Sequence, residues 1–155
     1  MNILDFLVPS SVALHYAAVD SKDVITHLGN LLLEAGYVRE TFVEAALDRE
    51  SRLPTGLPLS SDVNAAIPHT EVEHVLKPGL AMATLSAPVT FQNMVMPEEA
   101  VPCQLVFVMA LDQPKAQVEM LQEIAGVLQN PALIHSLMSA YSYEDIRAAF
   151  SKDRS

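Results

Sequence analysis

The seven residues Leu105-Val106-Phe107-Val108-Met109-Ala110-Leu111 are apolar without a break. Successive side chains of a strand point to opposite faces, so a strand with one wet face alternates apolar and polar residues. A strand with no polar member must be covered on both sides. The run therefore predicts a central strand of a layered α/β fold. It is far short of the roughly 18–20 apolar residues that span a bilayer, and no other run approaches that length.

The segments around it supply the layers. Residues 11–19, SVALHYAAV, are apolar with some alternation and read as a strand. Asp20 or Ser21 can cap a helix in which Val24, Ile25, Leu28, Leu31, Leu32 and Ala35 recur at helical spacing, and Gly36 is a natural stop. A second helix is expected over 40–51, with Phe42, Val43, Ala46 and Leu47 inward. Residues 52–62 hold two prolines, a glycine and two adjacent serines and read as a loop. Short strands are expected at 63–67 and 79–85, with a separate edge piece at 89–91. Pro114 opens a helix with Val118, Leu121, Ile124, Ala125 and Leu128 buried, and Asn130-Pro131 breaks it. Two short helices follow at 131–139 and 143–150, with a frayed tail at 151–155. The expectation is one α/β domain over 1–155: a single mixed β-sheet flanked by helices, with a helical C-terminus.

Composition narrows the partners. The formal net charge is −10, which argues against nucleic acid and against an anionic membrane surface. It fits docking to a partner with a basic face. Met1-Asn2-Ile3-Leu4-Asp5 has no basic n-region, so no signal peptide is expected. Cys103 is the single cysteine, which excludes an intrachain disulfide and fits a reducing cytoplasm. With no basic neighbour in the sequence it reads as an inert buried thiol.

Chemistry concentrates at Ala65-Ala66-Ile67-Pro68-His69-Thr70-Glu71. Proline fixes its own backbone and biases Ile67 towards an extended conformation, so His69 is presented on stiff backbone at a strand end. A histidine there can be a nucleophile, a proton carrier, a metal ligand or a loop-bonding structural residue. Arg49, late in the second helix, is either a solvated helix-end cation near Asp48 and Glu50 or an anion clamp, since guanidinium matches phosphate oxygens. His69, Glu71, Glu73 and His74 are possible metal ligands, but their spacing matches no usual zinc motif. If the segment is extended, His69, Glu71 and Glu73 share one face. His15, His27 and His135 read as partly buried, hydrogen-bonded residues. There is no glycine-rich nucleotide loop and no G-x-S-x-G elbow.

Three segments then fall into a known order: Arg49-Glu50-Ser51-Arg52-Leu53-Pro54-Thr55-Gly56-Leu57, Ala66-Ile67-Pro68-His69, and the apolar strand with a helix behind it. This order resembles the enzyme IIA components of the bacterial sugar phosphotransferase system, of the fructose–mannitol class. The resemblance implies that His69 accepts a phosphoryl group from the phosphocarrier protein HPr. It implies onward transfer to a cysteine of a IIB component, and indirectly service to the membrane IIC component. It carries over Arg49 as a phosphoryl contact and Thr55 as the small hydroxyl residue of the following loop. No ATP, cofactor or required metal is implied. Many members have a small residue after the active histidine, where Thr70 stands, and a second histidine on the later helix, where Gln117 aligns. An amide can donate a hydrogen bond but carries no proton to give up and no full charge. These departures look most like the galactitol-type branch. A regulatory protein of the nitrogen branch, signalling through His69, is the alternative. A metal-binding module using His69, Glu71 and His74 is a second. Leu53, Leu57 and Leu59 are candidates for an apolar docking patch around the histidine.

Overall fold

The computed structural model describes residues 2–60 and 62–153. Chain order runs α1 (Ile3–Phe6), β1 (Leu7–Tyr16), α2 (Ser21–Glu34), α3 (Phe42–Arg52), β2 (Gly56–Leu57) and β3 (Ala65–Ala66). A short 3-10 helix (Val72–His74) precedes β4 (Gly79–Gln92), β5 (Ala100–Ala110), α4 (Pro114–Leu128), α5 (Pro131–Met138) and α6 (Tyr143–Asp153). One mixed five-stranded sheet has the order β1-β4-β5-β3-β2. β1 runs parallel to β4, β4 antiparallel to β5, β5 parallel to β3, and β3 antiparallel to β2.

The doubly covered strand is where the apolar run required it. Leu105, Phe107 and Met109 of β5 point into a core shared with α1, α4, α5 and α6. Val106, Val108 and Ala110 point the other way, into a core shared with α2 and α3. β4 obeys the same alternation: Leu80 and Met82 face the first core, and Ala81 and Ala83 the second. The mixed sheet, its flanking helices and the helical C-terminus are thus borne out.

Helix ends follow local chemistry. Asp20 caps α2 by accepting the Asp23 N–H at 2.8 Å. At the other end Gly36 has φ +84°, and the Tyr37 N–H reaches back to Leu32 O while the Gly36 N–H reaches Leu33 O. This is a Schellman stop, which needs a left-handed residue after the cap.

The strands depart from expectation more than the helices. β1 starts at Leu7 rather than at 11 and ends at Tyr16. Its edge position and two register shifts against β4 hide its start from the alternation. The piece at 89–91 is not separate. It continues β4 past a shift between Thr84 and Val89 and pairs with the first half of β5. The expected strand at 63–67 shrinks to Ala65–Ala66 plus an isolated bridge between His69 and Met109. The loop at 52–62 contains β2. Residues 151–153, expected frayed, extend α6; Arg154 and Ser155 lie outside the described residues.

Candidate functional site

β3 and β5 are parallel neighbours, and the chain leaves their carboxyl ends towards opposite faces of the sheet. After β5 it enters α4 on the first core. After β3 it passes His69 and reaches Val75, which packs in the second core. His69 lies just past the carboxyl end of β3, bridged to Met109 of β5 and 8 % exposed.

The ring is oriented by backbone. His69 Nδ1 lies 2.9 Å from the Ile67 carbonyl oxygen. A carbonyl only accepts, so Nδ1 carries the hydrogen and donates, and Nε2 keeps a lone pair. Burial lowers the His69 pKa below the ordinary histidine value, and the Arg49 guanidinium pushes the same way. The bond to Ile67 and the Glu71 carboxylate push back. The imidazole is therefore neutral near neutral pH.

The predicted site residues arrive from three elements. Arg49 comes from the end of α3. Its Nη1 lies 3.8 Å from Glu71 Oε1, and its Nε is buried with no hydrogen-bond partner among the described residues. Of the two acidic neighbours weighed for it, Asp48 pairs instead with Arg52 at 3.0 Å. Arg52 also reaches Glu71 at 3.9 Å. Thr55 is buried in the turn before β2. Its hydroxyl donates to Glu50 Oε1 at 2.8 Å, and its amide donates to Glu50 Oε2 at 2.7 Å. The same hydroxyl oxygen accepts the Ile67 N–H at 3.2 Å. Gln117, in the first turns of α4, donates through Nε2 to the Thr70 carbonyl at 2.7 Å. It thereby ties α4 to the residue after His69. Thr70 itself is buried, and its hydroxyl donates to the Glu71 carbonyl at 2.8 Å.

The metal-ligand grouping is not assembled. Residues 72–74 form the 3-10 helix rather than extended chain, and His74 Nδ1 pairs with the Thr41 hydroxyl at 2.8 Å. Among the described residues no three His, Cys, Asp or Glu side chains converge as a metal site. His15 is bonded through Nε2 to Ala140 O at 2.8 Å, and His27 stacks on Tyr16. His135, expected to be partly buried, is exposed, because it lies on the outer face of α5. The Cys103 thiol is buried and its pKa is pushed up to about 12, first by burial and then by Glu50. Leu57 and Leu59 pack against the core, so Leu53 is the exposed member of the three expected docking leucines.

Two participants escaped the sequence reading. Glu50 was visible as a neighbour of Arg49, but its link to Thr55 depends on how the chain turns after α3. Glu71 was weighed only as a metal ligand, and its pairing with Arg49 and Arg52 needs α3 to lie beside the segment after β3.

The chain matches the family model of the phosphoenolpyruvate-dependent sugar phosphotransferase system, EIIA 2, over residues 5–153. It is 31 % identical over 121 residues to the galactitol-specific EIIA component of the phosphotransferase system of Escherichia coli strain K12, covering 78 % of this chain and 79 % of that protein. The crystal structure of IIA mannitol from Escherichia coli superposes with a TM-score of 0.77 at 26 % identity, covering 93 % of this chain and 98 % of that one. The complex of enzyme IIAMTL with phosphorylated enzyme IIBMTL from the same organism matches with a TM-score of 0.75 at 25 % identity, covering 94 % of this chain and 97 % of that one. A family model spanning nearly all of the chain, on a fold shared with solved IIA structures, makes this protein a member of the EIIA 2 family of the sugar phosphotransferase system, and so a phosphotransferase.

Proposed function

We propose that this protein carries phosphoryl groups for sugar uptake, with His69 Nε2 accepting the group from phospho-HPr and passing it to a cysteine of a IIB component. The IIB component in turn serves the membrane IIC component. The observation that carries the reading is the Nδ1–H bond to the Ile67 carbonyl, which leaves the free lone pair of a neutral ring on Nε2 as the nucleophile. In the transfer a bond forms from Nε2 to phosphorus as the bond from phosphorus to the donor breaks. The product ring keeps its Nδ1 hydrogen on Ile67, whose carbonyl stabilises the charge gained there.

Phosphoryl transfer is catalysed mainly by in-line positioning and by charge on the equatorial oxygens. Arg49 supplies that charge, and its buried, unpartnered Nε is a donor that an incoming phosphoryl oxygen would satisfy. Thr55 can serve as a hydroxyl donor only if its proton leaves Glu50 when the group arrives. Gln117 stands in the place of a second histidine and steadies Thr70. The galactitol-specific relative favours transport of galactitol or a related sugar over nitrogen-branch signalling. No helix among the described residues is long and apolar enough to cross a membrane, in keeping with action on the cytoplasmic side. Docking would use Leu53 together with Met94, Val95 and Met96, exposed at the β4–β5 tip. That tip is tied to the site loop by the Met94 N–H bond to Gly56 O at 2.8 Å.

The test is phosphotransfer from phospho-HPr, then to a panel of IIB partners. An acid-labile adduct on the wild type, absent in His69→Ala, is the expected result. Arg49→Ala should slow transfer by roughly a hundredfold with little change in melting temperature. An adduct that survives His69→Ala would sink the assignment.

A further inference from the structure

The hydrogen bonds around Thr55 form a chain that ends on the ring of His69. Glu50 accepts both Thr55 donors, the amide at 2.7 Å and the hydroxyl at 2.8 Å. With its proton on Glu50, the Thr55 oxygen turns a lone pair to the Ile67 N–H at 3.2 Å. The Ile67 carbonyl takes the Nδ1 hydrogen of His69 at 2.9 Å. One residue further, the Pro68 carbonyl accepts the Met109 N–H at 3.0 Å. Ile67 is thus anchored on its N–H side by Thr55 and beyond its carbonyl by Pro68 and β5.

We propose that Glu50 is a positioning residue for phosphoryl transfer: through Thr55 it holds the Ile67 carbonyl against His69, which keeps the Nδ1–H tautomer and leaves Nε2 as the nucleophile. The role in transfer rests on His69 being the acceptor; the tautomer effect stands apart from it. A carboxylate suits the position because both groups it faces are donors. Glutamine there offers one acceptor oxygen and turns an NH2 group towards a second donor. A donor left unpaired in this buried turn is costly, so the turn must shift and Ile67 with it.

The experiment reads the His69 ring by 15N–1H correlation NMR in the unphosphorylated protein, for the wild type, Glu50→Gln, Thr55→Val and Thr55→Ser. The wild type and Thr55→Ser, which keeps the hydroxyl, should show Nδ1–H. Glu50→Gln and Thr55→Val should move population to Nε2–H and slow phosphorylation about tenfold with KM for the donor unchanged. Thr55→Val keeps the side chain's shape, so it decides the matter should Glu50→Gln fail to fold. An unchanged tautomer in a folded Thr55→Val or Glu50→Gln overturns the proposal. So does slowed transfer with the Nδ1–H tautomer intact, because the loss would then be structural. Phosphorylation of the wild type at a residue other than His69 would strike the parent reading and leave the tautomer result standing.

Discussion

On the proposed function His69 has to be neutral to attack phosphorus, and its surroundings set the pH at which it is. Burial first, then Arg49, hold its pKa below the ordinary value of about 6.5. Protonation removes the Nε2 lone pair, so acceptance of phosphate should be flat between about pH 7 and about pH 8 and fall below about 6.5. NMR titration of the ring alongside the rate measurement checks this; a midpoint at or above about 6.5 would contradict it. The same shift links to stability. As pH falls through about 6.5 the unfolded chain takes up a proton that the folded ring resists, so stability drops until the lower folded pKa is reached. The stiff placement of His69 was legible from Pro68 alone, because proline acts on its own backbone and on the residue before it. The partners of His69, Arg49 and Thr55 were not, since each hydrogen bond or ion pair joins segments that only the fold brings together.

Among the elements, the turn between α3 and β2 shows how closely the site is packed. A Cβ on Gly56 would meet the Gln92 carbonyl oxygen at 2.6 Å, a backbone atom that cannot step aside. Gly56→Ala should therefore cost about 1–3 kcal/mol and push β2 off the β4–β5 tip. Gly126, exposed in α4 with open space around it, is the control. Gly126→Ala should raise stability by roughly 0.5–1 kcal/mol, because alanine loses less backbone freedom in a helix. Thermal unfolding of both variants checks the pair, and equal effects would refute the packing argument. The helices α2 to α5 were read within a residue or two because their periodicity and caps are local; α6 runs three residues past expectation, and the four-residue α1 was not expected at all. Strands were read less well. β3 is two residues long, and the outer half of β4 is defined by its pairing with β5 rather than by its own pattern.

At the scale of the whole molecule, the net charge of −10 biases what the protein meets. Long-range attraction raises the encounter rate with a basic partner face and is screened within about 10 Å at about 0.1 M salt. Raising ionic strength from about 0.05 M to about 0.5 M should slow second-order phosphorylation several-fold, with the effect in the association rate. Stopped-flow or quench-flow kinetics across salt would show it, and a salt-independent rate would mean that docking relies on apolar contact alone.

The sequence by itself determined that a central strand is covered on both faces, where most helices begin and end, and that a histidine stands rigidly after Ile67-Pro68. All of these follow from forces that act within one element: side-chain alternation, helical spacing and the fixed φ of proline. Only the tertiary structure decided the strand order, the merging of the edge piece into β4, the dispersal of the metal-ligand grouping and the path from Glu50 to the ring of His69. Those outcomes depend on which distant segments pair once the loops close. The ring nitrogen that stays free is decided there too, because the other one gives its hydrogen to the carbonyl of Ile67, a residue whose N–H is bonded to Thr55, twelve positions earlier in the chain.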